Sequence, residues 1–304
     1  MTRDLEPIAD LNPGDVLSYS AGSTQTGPKG YRKVLGRGNL LSESAKRWPE
    51  MLEVLGDRPI LFINAYPATL GAFSSGISVD TYLSPRVFTR AVQLGKAGNH
   101  PTIIVGQPLF LADAFQRHVS NGFALPEILM LWTGGYVMQQ SLEKMLVAIL
   151  EPHVRKLLIV QYFGVAEVDA ACMMARERNE EGHPIYYPRE DVVASIEDGK
   201  LFLAVKGEDG TPLAEPFLTG DAARHCDSSM IIWNDKRLHP DVHEELESWS
   251  VEDWKRRTGY VRRDSNKIII QCREGVTVDK PHELEHYEFG RHYGFSWLNK
   301  PYWR

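Results

Sequence analysis

The stretch Ser18 to Lys33, SYSAGSTQTGPKGYRK, concentrates small, hydroxyl-bearing and cationic side chains. Ser20, Gly22, Ser23 and Thr24 are followed by Gly27, Pro28 and Lys29. Small residues let backbone N–H groups approach phosphate oxygens closely, hydroxyls add donors and a lysine adds charge. The same composition also describes an ordinary turn. Two further segments carry complementary chemistry. In QYFGVAE, Gln161 to Glu167, an aromatic ring at Phe163 stands four residues before a hard carboxylate at Glu167. Taken alone, Phe163 reads as core packing and Glu167 as a helix-start acid. PLAEPFLTGD, Pro212 to Asp221, ends on a carboxylate, Asp221, that offers two acceptor oxygens.

A rival constellation is His282-Glu283-Leu284-Glu285-His286, which satisfies HExxH, two histidines one helical turn apart with a glutamate base between them. Only eighteen residues follow it, little room for a third ligand, and a charged exposed helix after Pro281, with no zinc, is the preferred reading. His239 and His243 share helical spacing without a glutamate between them and read as a solvated face. No Gly-x-Ser-x-Gly elbow and no GxGxxG after the first strand occur, so serine hydrolase and dinucleotide-binding readings lack an anchor.

These residues must be positioned by a chain of 304 residues, 43% hydrophobic and 24% charged, long enough for a full core. A net charge of −6 argues against nucleic acid as a partner. The acidic start MTRDLEPIADLNPGD is unlike a secretory or transit peptide. The longest apolar runs fall short of the roughly 20 residues that span a bilayer. Cys172, Cys226 and Cys272 are odd in number and widely spaced, which fits reduced thiols. A cytoplasmic protein without membrane partners is expected.

Arg58 to Ala65, Pro101 to Gly106, Glu127 to Trp132 and Lys156 to Tyr162 read as short buried strands. Between them, Arg86 to Gly95, Leu109 to Val119 and Gln139 to Ile149 carry helical apolar spacing. The series predicts an α/β fold, a mainly parallel sheet flanked by helices. Later runs, Leu201 to Val205, Met230 to Trp233 and Lys267 to Gln271, separated by Gly, Asp and Pro, predict a small β-rich C-terminal subdomain. The expected division is an α/β nucleotide- and acid-binding core over residues 1–190 and a β-rich subdomain with a short tail over 191–304.

Taken in order, the motifs resemble the adenylate-forming superfamily of acyl-CoA ligases, luciferases and peptide-synthetase adenylation domains. Gly22-Ser23-Thr24 and Pro28-Lys29-Gly30 resemble the two ends of its phosphate loop, with a middle one residue longer. Thr133-Gly134-Gly135 resembles its adenine-facing glycine turn, and QYFGVAE its Tyr-Gly-x-Thr-Glu segment, with Ala166 where threonine is usual. Leu218-Thr219-Gly220-Asp221 resembles its Thr-Gly-Asp turn, whose aspartate holds the ribose. WKRRTGYVRRDSNKIIIQCR, Trp254 to Arg273, resembles the same region more fully, with Tyr260 replacing the aspartate; Asp221 is preferred because it keeps the carboxylate.

The resemblance implies ATP and Mg²⁺ as cofactors and activation of a small carboxylic acid through an acyl-adenylate, followed by transfer to a thiol or amine acceptor or a partner protein. It implies that Ser23, Thr24, Gly27 and Lys29 hold phosphates, and that Glu167 holds Mg²⁺. Gly134, Gly135, Phe163 and Gly164 would frame adenine. Asp221 would hold the ribose, with Arg273 as the accompanying arginine and Arg237 and Arg263 as alternatives. The family's mobile C-terminal domain, source of its catalytic lysine, has little counterpart after Arg273, so Lys300 is the substitute candidate. The same shortness implies an alternative, a non-catalytic or partner-dependent nucleotide-binding protein. Tyr66, Phe73, Phe110 and Trp132 suggest an apolar or aromatic acid pocket.

Overall fold

In the computed structural model the described residues are 40–66, 76–81, 85–165, 167–226, 228–234 and 246–257, with backbone strands at 17–19, 31–33, 260–264, 267–271 and 277–278. Strands β1 (Leu17–Tyr19) and β2 (Tyr31–Lys33) pair as an antiparallel ribbon. Helices α1 (Leu40–Arg47) and α2 (Glu50–Leu55) lead into β3 (Ile60–Ala65) and β4 (Gly76–Asp80). The chain then alternates α3 (Pro85–Ala97), β5 (Thr102–Gly106), α4 (Pro108–Ser120), β6 (Ile128–Thr133), α5 (Gln140–Leu150) and β7 (Lys156–Val165). Strands β8 (Asp169–Arg178), β9 (Pro184–Pro188), β10 (Val192–Glu197), β11 (Lys200–Val205), β12 (Phe217–Cys226) and β13 (Ser229–Asn234) follow without a helix between them. Helix α6 (Val251–Arg257) precedes β14 (Tyr260–Asp264), β15 (Lys267–Gln271) and β16 (Thr277–Val278).

Eleven strands form one sheet, in the order β10-β11-β12-β13-β9-β8-β7-β6-β5-β3-β4. The part from β4 to β7 is parallel, and every pairing from β7 outward to β10 is antiparallel. The expected mainly parallel sheet is therefore corrected to a mixed one, whose hydrogen-bonded ladder runs on across residue 190.

The parallel strands are apolar throughout because both faces are covered. Leu61, Ile63, Ile104, Leu129, Leu131 and Ile159 pack against α3, α4, α5 and α6. Their sequence neighbours Phe62, Ile103, Met130, Trp132 and Val160 pack on the other face with Leu41, Trp48, Met51 and Leu55. Trp132 is locked edge-on between Phe62 and Tyr162, and Phe110 edge-on to Phe88. Both belong to the core, which removes them from the expected acid pocket. The antiparallel part closes over a third cluster that joins Phe163 of β7 to Tyr186, Leu201, Leu203 and Ala223. Among the described residues no helix is long and apolar enough to cross a membrane.

Candidate active site at the carboxyl edge of the sheet

Strands β4 and β5 lie on opposite sides of β3, so the chain reverses its direction of travel across the sheet there. In open α/β sheets the crevice outside the carboxyl ends of the strands, at such a reversal, is where ligands bind. The residues at that edge are Tyr66 after β3, Gln107 after β5 and Gly134-Gly135 after β6. Gly135 has φ +96°, a left-handed conformation that side chains rarely adopt. A Cβ there would also meet Gln107 Nε2 at 3.0 Å and Tyr66 Oη at 3.1 Å. Three strand ends thus converge on one α-carbon, and Tyr66, Gly134 and Gly135 are partly exposed.

The parallel ladder sets Thr133 opposite Gln161, which brings the Thr133-Gly134-Gly135 turn beside the segment that ends in Phe163, Gly164 and Glu167. Phe163 is 2% exposed, its ring edge-on to Tyr186 with centroids 5.9 Å apart, so it packs in the core. Glu167 begins no helix. It is partly exposed in the turn between β7 and β8, closed by the Val168 N–H donating to Val165 O at 2.9 Å. Mg²⁺ takes one or two protein carboxylates together with phosphate and water. A single accessible carboxylate therefore fits a Mg²⁺ shared with a nucleotide. Among the described residues no three His, Cys, Asp or Glu converge as a self-sufficient metal site.

The expected Thr-Gly-Asp turn is instead a bulge inside β12. Lys200 pairs with Ala222 and Phe202 with Leu218, so Thr219, Gly220 and Asp221 together oppose Leu201. Gly220, at φ +85°, makes that excursion feasible, and the Asp221 N–H donates to Thr219 Oγ1 at 3.1 Å. Asp221 is fully buried and shares the inward face of β12 with Thr219 and Ala223. Four strand steps of about 4.8 Å separate β12 from β7 along the ladder. Ala223 and Phe163 belong to one apolar cluster.

Ser23, Thr24, Gly27, Lys29, Phe73, Arg237, Arg273, Lys300, the two histidines at 239 and 243 and the HELEH segment lie outside the described residues. Tyr260 and Arg263 stand on β14, which pairs with β15 as a hairpin.

Two interactions near the site had no motif to announce them. Gln161 accepts the Met138 N–H at 3.3 Å and donates to Glu143 Oε2 at 3.4 Å. The same carboxylate oxygen accepts Arg178 Nε at 2.6 Å, and Arg178 also donates to the carbonyls of Gly182 and Met138. The loop after the glycine turn is thereby tied to β7 and β8. Two residues after Glu167, Asp169 forms an ion pair at 2.9 Å with Arg189, which is 3% exposed and donates to Asp191 at 2.8 Å and to Ala171 O at 2.7 Å. Burial opposes the charge of Arg189, and the Asp191 and Asp169 carboxylates outweigh that and hold it protonated.

No protein-family model and no curated protein matches the chain. Solved structures do. The chain is similar in structure to adenylate-forming enzymes. A structure of E. coli MenE with a bound analogue of OSB-AMS matches at 10% identity and TM-score 0.44, covering 73% of this chain and 48% of that one. An AMP-forming acyl-CoA synthetase/AMP-acid ligase II-like protein from Dyadobacter fermentans matches at 11% identity and TM-score 0.44, covering 81% and 63%. The anthranilate CoA ligase AuaEII in complex with anthranoyl-AMP matches at 14% identity and TM-score 0.48, covering 73% and 48%. The chain spans between about half and five-eighths of the length of these structures.

Proposed function

We propose that this chain activates a carboxylic acid with ATP, forming an acyl-adenylate and pyrophosphate. The observation that supports this most is the adjacency of two motif segments 28 residues apart in sequence, Thr133 to Gly135 and Gln161 to Glu167, on neighbouring parallel strands at the ligand-binding edge. In the reaction a carboxylate oxygen bonds to the α-phosphorus while the bond from that phosphorus to the bridging oxygen breaks. The electron pair leaves on pyrophosphate. Little covalent work falls to the protein, whose contribution is positioning and charge neutralisation.

In this reading Ser23, Thr24, Gly27 and Lys29 hold the β- and γ-phosphates. The base lies between the Gly134-Gly135 turn and the Phe163-Gly164 segment. Asp221 and Arg273 take the ribose, and Lys300 faces the departing pyrophosphate. Glu167 holds Mg²⁺, which when bound offsets phosphate charge. Residues 1–190 form the nucleotide- and acid-binding core and 191–304 a β-rich subdomain with a short tail, and the acyl group passes on to a thiol or amine acceptor or a partner protein, in a cytoplasmic setting. The test is mass-spectrometric detection of an acyl-AMP after incubation with ATP, Mg²⁺ and a panel of carboxylic acids; ATP binding without any adduct contradicts catalysis. One observation favours a second reading, a nucleotide-binding protein without turnover: Asp221 is fully buried and reaches no ribose unless the bulge opens.

A further inference from the structure

Polar side chains buried at the carboxyl edge divide into satisfied and unsatisfied ones. Asn64, 8% exposed, is satisfied: its amide donates to Asp80 at 3.1 Å and its oxygen accepts the Tyr66 N–H at 3.0 Å. Gln161 is satisfied by Met138 and Glu143. Gln107 is 1% exposed, and its Oε1 has no hydrogen-bond partner among the described residues. It occupies the position before α4, yet its side chain makes no capping bond to that helix. Thr133, paired through its strand with Gly106 and 2% exposed, carries a second buried oxygen in the same condition.

An acceptor withdrawn from water and left unpaired destabilises a fold, so such groups point to a role outside the fold's own bonding. Gln107 contributes nothing to α4 that an apolar residue would not. What it does is bring Nε2 against Gly135, beside the Tyr66 hydroxyl, at the edge where Tyr66, Gly134 and Gly135 are partly exposed.

We propose that Gln107 is a specificity-determining residue whose side-chain oxygen receives an N–H or O–H donor of the bound acid, so that the site selects carboxylic acids bearing an amino or hydroxyl group. The inference rests on the carboxylate-activating reading and replaces the apolar pocket expected from the aromatic residues, two of which are core. It places the acid toward the ends of β3 and β5, on the side of β6 away from β7 and Glu167, where the nucleotide segments lie. A site built to hydrogen-bond a donor rejects the analogue that lacks it, because the buried acceptor then stays unpaired.

The test is calorimetric titration of the whole chain, with and without ATP and Mg²⁺, with the 2-, 3- and 4-isomers of amino-, hydroxy-, methyl- and methoxybenzoate. At least one amino or hydroxy isomer is expected to bind tenfold or more tightly than its methyl and methoxy counterparts. Gln107→Leu is expected to reduce that preference to about twofold by weakening the donor-bearing acid, and its melting temperature is expected to match or exceed the parent's. Thr133→Val, close to isosteric, is the second variant and is expected to reduce the preference partially. Equal binding across the set, binding of the methyl isomers alone, no saturable binding by any amino or hydroxy isomer, or a preference unchanged in Gln107→Leu overturns the proposal. Selective binding without adenylation would leave Gln107 assigned and remove carboxylate activation. Adenylation of methyl isomers alone would do the reverse.

Discussion

Arg178 on β8 and Glu143 on α5 meet at Nε–Oε2 2.6 Å, and that carboxylate oxygen also receives the Gln161 amide. The pair joins the first antiparallel strand to the helix that follows the glycine turn. Arg178 also caps the Met138 carbonyl at 2.9 Å, so the loop between Gly135 and α5 is held from both sides. Replacing Arg178 by Met leaves a largely buried carboxylate with only the Gln161 amide and two carbonyls without their donor, at a cost of about 2–4 kcal/mol. Urea unfolding is expected to show that loss, and nucleotide affinity is expected to fall with it. Glu143→Gln, which keeps an acceptor, is expected to lose less of both.

The alternating middle of the chain was legible because its signals agree. Pro101 to Gly106 and Glu127 to Trp132 are apolar on both faces, and Leu109 to Val119 carries helical spacing behind Pro108. The structure places strands and a helix within two residues of those bounds. Strand β8 was not legible. Its sequence, DAACMMARER, is rich in Ala, Met, Glu and Arg, which favour helices, and pairing with β7 and β9 overrides that preference. The Thr219-Gly220-Asp221 signal marked a real backbone irregularity, but Gly serves a bulge as well as a turn. Gln107 and the Arg178–Glu143 pair carry no local signature at all, since what distinguishes them is which neighbours the sheet order supplies.

Arg189 forms an ion pair with Asp169, two residues after Glu167 and itself 4% exposed. Arg189→Leu strands a buried aspartate and is expected to cost about 3–5 kcal/mol, measured by denaturant midpoint. Arg189→Lys keeps the charge but not the forked geometry, and is expected to recover only part of it.

Burial, followed by the nearby Asp169 charge, pushes the Cys172 thiol up to about 12 from an ordinary 9.0. Above pH 9 the folded chain keeps a proton that the unfolded chain gives up, so stability falls as pH rises towards 12, by up to about 1.4 kcal/mol per pH unit. Burial also raises the Tyr162 phenol, whose unfolded value of 10.0 confines its contribution to higher pH. Unfolding measured between pH 9 and 10 is therefore expected to flatten in Cys172→Ala, and an unchanged slope would assign the alkaline loss elsewhere.

Asp221 and Tyr260 are rival occupants of the ribose position. If Asp221 accepts both ribose hydroxyls, Asp221→Ala is expected to weaken ATP binding by about 2–3 kcal/mol, because charge-assisted bonds are the stronger kind. Titration calorimetry on both alanine variants separates the two. Loss only in Tyr260→Ala would move the ribose to the β14 hairpin.

The central claim, carboxylate activation at the carboxyl edge of the sheet, is tested most directly by exchange of labelled pyrophosphate into ATP, with and without each member of a carboxylic acid panel. Exchange that requires Mg²⁺ and an acid, and that falls at least tenfold in Glu167→Ala, is the predicted result. Clear ATP binding with no acid-dependent exchange for any member of the panel would contradict it.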